Sequence, residues 1–599
     1  STNYGGIGIY DKALGGVAMI GMMYHGKAGA SHYEANGADP FASKYDLDVL
    51  RESLSVVKQG GALAAMAVGM GQVYEGVPFG RPYARPTAPV TEEILYKLLD
   101  QAVEKARSAA RFGFDALILD ISNDSIVDAF MAPGFNLRTD NWGGSYENRF
   151  RLAQMIVSRV REAIGPDFVL ELRVSATLGV PETYPFEEML QFLKSVEDQI
   201  DIVNLVTGMD EYHDGNVKLC PPIFEPHLLN LERARAIRES CDVLVNISGA
   251  IMDVQEAERV LREGAADLVL LGRSLVADPF WPKKVLEGRE DDIVPCIRCN
   301  NCYHIATEHF NTCCTVNPRV YRENRVPLTL PRAQTARSVV VVGGGPAGLK
   351  AALTAAQRGH QVTLVEQSGA LGGLMIPASV GAFKEDLRRY LSYLRRQVEK
   401  SQIHVMLHTR ADRALLEHLH PDAVILAVGG RAVMPPVPGL GTSGAVQAVA
   451  LLNAGLETAG TRVTILGGGS IGCELALELA ALDRMVTVVE LRDKLAANGN
   501  ELYRQDLMLH LEQETRITIL TQTVCTGVTA QGCTVREKDG GTRVIPHDTF
   551  VIAAGLRADA DAVEALYGVV PETYYVGDCK RAASITEATT EAYFLGASL

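Results

Sequence analysis

The sequence lacks two features that would place the protein at a membrane or on a nucleic acid. It contains no stretch of about 18 uninterrupted apolar residues, which argues against a membrane span. Its 57 Lys and Arg are outnumbered by 72 Asp and Glu, and a net charge of -15 repels a phosphate backbone. Ser1 to Gly6 also lack the charged and apolar segments of a signal peptide. We therefore expect a cytoplasmic protein with no membrane partner and no nucleic-acid partner.

What the chain does have is enough apolar sequence for several cores. Apolar residues make up 47% of its 599 residues and charged residues 22%, which is typical of soluble globular chains. At roughly 100–200 residues per domain, this length predicts three to five domains. Its 56 Gly and 11 Cys are clustered. Because cytosolic thiols stay reduced, clustered cysteines indicate metal, cluster or redox chemistry before disulfides.

The first 288 residues alternate short β-like runs with amphipathic helical stretches. The β-like runs cover residues 61–69, 114–122, 167–176, 201–208, 242–250 and 266–272. Such alternation predicts a parallel α/β fold, and the repeat spacing favours a closed (β/α)8 TIM barrel. An open doubly wound sheet stays an alternative, because periodicity does not distinguish the two.

A cysteine-rich stretch follows the predicted barrel. Cys296, Cys299 and Cys302 have C-x2-C-x2-C spacing, and Cys313 and Cys314 follow after a short loop. Tetrahedral zinc also takes four ligands, but three cysteines spaced in this way are more typical of an iron–sulfur site. We choose Cys314 as the fourth ligand because it opens a tight C-T-V-N-P ending, although spacing alone does not exclude Cys313.

Two glycine-rich turns follow, each between a β-run and a helix. The first has Gly343, Gly345 and Gly348 in G-x-G-x-x-G register, and Glu366 ends the next strand. The glycines allow a tight turn, close approach to a pyrophosphate and close helix packing, and the acid accepts from ribose hydroxyls. This arrangement predicts a dinucleotide site.

The second turn repeats the first. Its three glycines and its strand-end acid are Gly467, Gly469, Gly472 and Glu490. A carboxylate here repels a 2′-phosphate and so favours NADH over NADPH, although Arg492 and Lys494 weaken that preference. Near the end of the chain, Gly577 and Asp578 follow another β-run.

The order of these features resembles a known family. A barrel, C-x2-C-x2-C-x11-C, two dinucleotide fingerprints and a closing V-G-D are similar to the 2,4-dienoyl-CoA reductase and trimethylamine dehydrogenase branch of the old yellow enzymes. The stretches Phe135–Arg151 and Ala266–Pro279 also resemble barrel signatures of that branch. The resemblance covers essentially the whole chain.

The resemblance implies FMN in the barrel, one [4Fe–4S] cluster, FAD on the first glycine turn and NAD(P)H on the second. It also implies Cys314 as the fourth cluster ligand. The residues whose counterparts bind flavin in the family are Arg173, Gly249, Gly272, Arg273, Gly577 and Asp578. Gly373 is a further candidate cofactor-binding residue. Multi-cofactor enzymes of this branch are often homo-oligomers, so we expect one here. The predicted domains are a barrel at 1–290, a cluster segment at 291–335, an FAD domain at 336–445 and 551–599, and an inserted NAD(P)H domain at 446–550.

The sequence departs from the family pattern inside the barrel. The family's first barrel strand has no counterpart here. Met66 takes the place of a flavin-binding Gln, and Ala250 takes the place of a phosphate-site Arg. Asp120 and Asn123 take the place of the substrate-binding H-x-x-[HN] pair, and Ser125 that of a proton-donating Tyr.

These features predict an NADH-dependent ene-reductase with electron flow from NADH to FAD, [4Fe–4S], FMN and an activated C=C bond. The C=C bond belongs to an enoyl-CoA, an enoate or an enone. His213 or Tyr212, after a predicted strand, is our candidate proton donor. Asp120 and Asn123 either bind a polar substrate group or only shape a turn.

An alternative function follows from Met66, Ala250 and the absent first strand. In that hypothesis, the barrel has lost FMN and is an interaction module, so the chain is a diaphorase subunit that feeds a partner protein. Arg173, Gly272 and Arg273 argue against it, because a barrel without flavin has no need of them. Amine oxidation is a further alternative, but we find no aromatic bowl for a methylated cation among the strand-end residues.

Overall fold

Buried apolar runs form parallel strands in the N-terminal half of the chain. The computed structural model describes residues 6–23, 44–70, 87, 90–123, 125–181, 183–209, 213–309 and 312–599. These fall into two compact units, one within residues 1–298 and 305–312 and the other within 299–304 and 313–599.

The described part of the first unit contains one sheet of seven parallel strands in sequential order. The strands are β1 (Met19–Met23), β2 (Leu63–Val68), β3 (Ala116–Asp120), β4 (Val169–Ser175), β5 (Ile202–Val206), β6 (Leu244–Ile247) and β7 (Leu268–Val269). Sequential order with a helix after most strands is the TIM-barrel pattern, whereas the order of a doubly wound sheet reverses. The predicted α/β barrel class is therefore confirmed, with seven described strands against the eight predicted. β1 is a strand that the sequence analysis missed.

The helices of this unit pack their apolar stripes against the sheet. Glu92–Phe112 shows how its sequence encodes such a helix: the Thr91 side chain accepts from Ile94 N–H, and Gly113 ends the helix with φ of 103°. Its buried residues recur every three to four positions. The helices are Gly6–Leu14, Lys44–Gln59, Glu92–Phe112, Ile126–Met131, Tyr146–Ile164, Phe186–Val196, His213–Leu219, Leu231–Ser240, Val254–Arg262, Arg273–Ala277 and Trp281–Leu286.

The second unit contains two five-stranded parallel sheets. The first has the order β10-β9-β8-β11-β22 and the second β13-β20-β14-β15-β16. Their strands are β8 (Ser338–Val342), β9 (Gln361–Val365), β10 (His404–Met406), β11 (Ala423–Leu426), β13 (Val446–Gln447), β14 (Arg462–Leu466), β15 (Met485–Val489), β16 (Ile517–Leu520), β20 (Thr549–Ile552) and β22 (Glu572–Tyr575). β22 follows all strands of the second sheet in the chain, so that sheet is inserted within the first. The predicted domain boundaries stay a prediction.

Two small antiparallel sheets complete this unit. One pairs β12 (Gly430–Ala432) with β21 (Leu556–Ala558). The other has the order β17 (Val524–Val528), β18 (Gly532–Arg536) and β19 (Thr542–Pro546). Helices elsewhere in the chain are Asn301–His309, Pro346–Gln357, Met375–Ala378, Glu385–Lys400, Arg413–Leu419, Ala448–Ala454, Ser470–Ala481, Glu501–Gln513, Ala560–Leu566 and Ile585–Ser598. Over the described ranges, every helix is too short or too polar to cross a bilayer.

Candidate active site and cofactor sites

Four polar side chains occupy one level of the barrel sheet. Asp120 on β3 is in register with Arg173 on β4, which is in register with Asn204 on β5, and Asn204 is in register with Asn246 on β6. Residues paired in register share a face of a sheet, so these four side chains face the same way. Asp120 ends its strand, Arg173 and Asn246 lie in the carboxyl-terminal halves of theirs, and Asn204 is central in β5. TIM barrels build their active sites at the carboxyl ends of the strands.

Asp120 anchors Arg173. One Asp120 oxygen accepts from Arg173 Nη1 at 3.2 Å, and the other accepts from the N–H and hydroxyl of Ser122 at 3.0 and 2.6 Å. The Arg173 and Asp120 side chains are only 25% and 17% exposed. Arg173 Nε is buried and has no hydrogen-bond partner among the described residues. Asp120 thus both shapes a turn and holds the guanidinium, and one buried donor is left for a ligand.

Glu171 lies one layer deeper on β4 and was missed by the sequence analysis. It is 1% exposed, and its Oε1 accepts from the side-chain amides of Asn204 and Asn246. Burial raises the pKa of Glu171. Glu171 Oε2 and both asparagine Oδ1 atoms have no partner in the described part of the chain. The signal was present in the sequence, because polar residues at alternate positions of a buried strand share one face.

Glycines shape the backbone after β6 and β7. Gly249 has φ of 114°, and a Cβ there would lie 3.1 Å from Asn230 Nδ2. Ala250, which takes the place of the family's phosphate-site arginine, has a left-handed φ of 55° and carries no charge. Gly272 faces open space, and Arg273 Nη1 donates to Pro221 O at 2.7 Å. These residues provide backbone and room for a phosphate.

The barrel residues fit FMN at two places and depart at one. The orphaned Arg173 Nε and asparagine oxygens lie where polar ligand atoms would satisfy them, and Gly272 leaves room for a phosphate. Met66 on β2 is 1% exposed and offers no hydrogen bond where the family has an amide. We propose that Arg173, Gly249, Gly272 and Arg273 hold the FMN.

A buried network lies beside this level. Asn123, with φ of 40°, donates its N–H to Ser175 Oγ, and Ser175 Oγ donates to Asp128 Oδ2 at 2.7 Å. Tyr184 OH lies 2.8 Å from Asp128 Oδ1, and burial with this carboxylate raises the pKa of Tyr184 well above 10. Ser125 caps the helix Ile126–Met131 by accepting from Asp128 N–H. Asn123 Oδ1 is buried without a partner among the described residues, so Asn123 stays a candidate for substrate binding.

The predicted proton donors are only partly placed. Tyr212 lies outside the described residues. His213 begins the helix His213–Leu219, and its side chain also lies outside what the structure describes. The structure therefore does not test either residue as a proton donor.

The first glycine turn in the second unit is tightly packed. Gly343 has φ of 105°, and a Cβ there would lie 2.3 Å from Ala427 O. A Cβ on Gly348 would lie 1.8 Å from Gly343 O. Gly373 returns over the turn with φ of 52°, and a Cβ on it would lie 2.8 Å from Gly345 Cα. Each glycine is required by a close backbone approach, as the fingerprint predicts.

The second turn has the same geometry as the first. Gly467 has φ of 112°, and its Cβ would lie 2.5 Å from Ala553 O. A Cβ on Gly472 would lie 2.0 Å from Gly467 O, whereas one on Gly469 would meet nothing within 4 Å. The second glycine therefore leaves room at the helix N-terminus for a pyrophosphate.

The two strand-end acids bind their own turns. Glu366 Oε2 accepts from Gly344 N–H at 2.7 Å, and Glu490 Oε2 accepts from Gly468 N–H at 2.6 Å. In both cases, the other oxygen accepts from the N–H two residues further on, at 2.7 Å. A carboxylate has about four acceptor positions, so each acid keeps capacity for ribose hydroxyls. We propose that Gly343, Gly345, Gly348, Glu366 and Gly373 hold FAD, and that Gly467, Gly469, Gly472 and Glu490 hold NADH.

The closing V-G-D meets the first glycine turn. A Cβ on Gly577, which has φ of 72°, would lie 2.9 Å from Ala347 Cβ, in the first turn of the helix that follows Gly345. Asp578 Oδ1 accepts from Ala583 N–H at 3.2 Å, and burial raises the pKa of Asp578. Gly577 and Asp578 therefore lie at the FAD turn, and we propose that they contact that cofactor.

The cysteine-rich segment carries reduced thiols. All eleven cysteines of the chain are described, and none forms a disulfide. Cys299 Sγ lies 3.1 Å from Thr315 Oγ1, which lies 2.6 Å from Thr586 Oγ1. Burial raises the pKa of Cys313. Partly buried, reduced thiols fit an iron–sulfur cluster, and we propose Cys296, Cys299, Cys302 and Cys314 as its ligands.

Comparison with known proteins agrees with this set of sites. Residues 86–292 match the NADH:flavin oxidoreductase / NADH oxidase family, and residues 337–590 match the pyridine nucleotide-disulphide oxidoreductases. An NADH oxidase of Thermoanaerobacter brockii is 34% identical over 76% of this chain and 70% of its own length. A cinnamate reductase of Clostridium sporogenes is 28% identical over 82% of this chain and 75% of its own length.

A solved structure shows the same fold along the whole chain. It is a 2-naphthoyl-CoA reductase in complex with 2-naphthoyl-CoA, with a TM-score of 0.89 and 23% identity, and it covers 100% of this chain and 95% of that one.

Fold, turns and relatives together define an NAD(P)H-dependent flavin oxidoreductase. The chain belongs to the NADH:flavin oxidoreductase / NADH oxidase family. The resemblance noted in the sequence is thereby confirmed, and the two family matches support the flavin and pyridine-nucleotide part of the predicted cofactor set. The [4Fe–4S] cluster stays a proposal for this chain.

Proposed function

We propose that the protein reduces an activated carbon–carbon double bond with electrons from NADH. The polar level of the barrel carries this proposal, because it offers an anchored guanidinium and orphaned buried polar atoms at the catalytic end of the strands. Cinnamate, the substrate named for one relative, is a conjugated enoate, which supports an acceptor of this class.

The bound cofactors would supply hydride transfer from NADH, the splitting of electron pairs into single electrons, and the return of a pair to the substrate. The residues of the chain position these groups. Glu366 and Glu490 hold the two turns rigid, and the glycines admit the pyrophosphates. Arg173, fixed by Asp120, would hold a bound flavin and would supply a positive charge that stabilises negative charge on it.

Reduction of a C=C bond also needs a proton at the α-carbon. Tyr184 is unsuited to donate it, because the residue is 1% exposed, its hydroxyl is bound to Asp128, and its pKa is raised well above 10. We assign this role to His213 or Tyr212, with Asp120 and Asn123 binding a polar substrate group. His213→Ala and Tyr212→Phe should slow enoate reduction and leave NADH:dye activity unchanged. Full rates of enoate reduction in both variants would show that neither His213 nor Tyr212 is the proton donor.

The flavin content distinguishes this function from the diaphorase alternative. The protein is denatured and its released FMN and FAD are counted per chain. Equal amounts support the reductase. FAD without FMN, with intact NADH-driven dye reduction, would support the alternative in which the barrel is an interaction module for a partner protein.

A matched pair of arginine variants locates the FMN. Arg173→Gln should lower FMN content and enoate reduction while FAD content and NADH:dye activity stay unchanged. Arg159→Gln removes a 43%-exposed arginine that pairs with Asp100 on the outside of the same unit, and it should change nothing. Comparing cinnamate, an enoyl-CoA and a cyclic enone as substrates then identifies the acceptor class.

A further inference from the structure

Two cysteines outside the cluster segment lie side by side in the second unit. Cys525 on β17 and Cys533 on β18 have their Sγ atoms 3.2 Å apart. Their side chains are buried, at 8% and 0% exposure. None of the predicted cofactor sites uses either residue.

Strand pairing explains why the thiols meet. β17 and β18 are antiparallel, with Cys525 opposite Val535 and Val528 opposite Cys533. The register of the pair shifts between Cys525 and Gly527, as at a β-bulge. The two thiols thus belong to adjacent strands that backbone hydrogen bonds already hold together. The sulfur atoms therefore need to move little to form a disulfide bond.

The pair is also chemically asymmetric. Either thiol can donate the hydrogen bond between them. This contact lowers the pKa of Cys525, although burial opposes the change, and it raises the pKa of Cys533. The thiolate is the attacking species in thiol–disulfide exchange. Cys525 is the more exposed of the two thiols and lies on β17, an edge strand, so a reagent that enters from the sheet edge meets it first.

We propose that Cys525 and Cys533 form a reversible disulfide site that a small disulfide closes and a small thiol reopens. Cys525 attacks one sulfur of the reagent, forms a mixed disulfide and releases one thiol. Cys533 then attacks Cys525 Sγ and releases the second thiol, so two electrons and two protons pass from the protein to the reagent.

Tryptic peptide mapping tests the proposal on the holoenzyme. Cleavage after Arg516 and Arg536 yields one peptide, residues 517–536, that contains both cysteines and no others. The enzyme is treated with 2-hydroxyethyl disulfide, quenched in acid, denatured and alkylated with N-ethylmaleimide. We expect this peptide to carry no alkyl group and to lose about 2 Da, and we expect dithiothreitol to restore two alkylation sites.

Two other outcomes would overturn the proposal. One is a peptide that still takes up two alkyl groups, and the other is a stable hydroxyethyl adduct on Cys525 without ring closure. Cys525→Ser and Cys533→Ser should each abolish the loss of about 2 Da, with NADH:dye activity as the check on folding. Cys241→Ser, which changes a buried thiol of the barrel unit, is the control and should leave the peptide's oxidation unchanged.

Discussion

The two glycine turns have the same backbone geometry, but the segments that cover them differ. Over the first turn, the chain returns through Gly372 and Gly373, and Gly372 N–H donates to Gly344 O at 2.7 Å. Over the second turn, Ala496 makes the equivalent bond to Gly468 O at 2.8 Å, and the next residue is Ala497. In the first turn, the covering residue Gly373 is a glycine that packs closely against Gly345, whereas the corresponding residue over the second turn is Ala497.

This difference fits the two tasks that we propose for the turns. A turn that is covered by returning backbone holds its dinucleotide more firmly, which suits a cofactor such as FAD that stays bound. The room at the second glycine itself is nearly equal, since a Cβ on Gly345 would lie 4.0 Å from Gly373 Cα and one on Gly469 would meet nothing within 4 Å. The covering segment is therefore the difference that we expect to suit the second turn to NADH, which binds and leaves in each cycle. Two copies of one motif are thus specialised by a neighbouring segment.

Substitution of the third glycine of each turn should cause the largest loss of cofactor binding. Gly348→Ala and Gly472→Ala each drive a methyl group into a backbone oxygen, at 1.8 and 2.0 Å, and we expect a cost of about 3 kcal/mol or more at each turn. Gly348→Ala should lose FAD, whereas Gly472→Ala should keep FAD and lose NADH:dye activity. The check is flavin content beside activity, and equal flavin loss in both variants would contradict separate roles.

Substitution of the two strand-end acids should cause the next largest loss of cofactor binding. Glu490→Gln removes one charged acceptor from a backbone N–H, which costs about 1.5–3 kcal/mol, so the KM for NADH should rise about tenfold or more. Glu366→Gln should act on flavin retention instead. The Glu490→Gln variant should also discriminate less against NADPH, because it removes the charge that repels a 2′-phosphate. An unchanged ratio of NADH to NADPH activity would refute that role.

The covering segment gives a smaller effect. Gly373→Ala places a methyl group 2.8 Å from Gly345 Cα at a left-handed backbone position, with an expected cost of about 1–3 kcal/mol and faster FAD release on dilution. Ala497→Gly is the matched control at the second turn, and its flavin content should equal that of the parent protein.

The smallest effect concerns pH. Cys473 replaces the Leu349 of the first turn, and burial raises its pKa from 9.0 to about 12. The folded state holds the thiol proton more tightly than the unfolded state, so the stabilisation is complete below pH 9 and declines as pH rises toward 12. By pH 10 the unfolding free energy should fall by about 1.4 kcal/mol relative to Cys473→Ala. Parallel stability curves from pH 8 to 10 would contradict this.

Local patterns made much of this molecule predictable. The turns around Gly343 and Gly467 were found because strand, glycines, helix and acid are neighbours in sequence, and the backbone geometry follows from them. Gly373 was predicted to bind a cofactor, but its position over the first turn was not predicted, because its contact with Gly345 joins residues far apart in the chain.

The features that the sequence did not predict depend on contacts between residues far apart in the chain. Glu171, Asn204 and Asn246 belong to three strands, and only strand register shows that they meet. β1 was missed because residues 19–23 read Met-Ile-Gly-Met-Met, with three methionines and a central glycine, rather than a β-branched run. The Cys525 and Cys533 contact depends on a bulge, which no spacing rule predicts.

The nested order of the two parallel sheets has a consequence for how the chain matures. Translation produces β11, ending at Leu426, long before β22, which starts at Glu572 and pairs with it. At roughly 5–20 residues per second, the interval is on the order of ten seconds. The inserted sheet is made within this interval, and its last strand, β20, ends at Ile552, shortly before β22. A ribosome stalled between β20 and β22 would therefore display a complete inserted sheet while its host sheet still has an unpaired edge at β11.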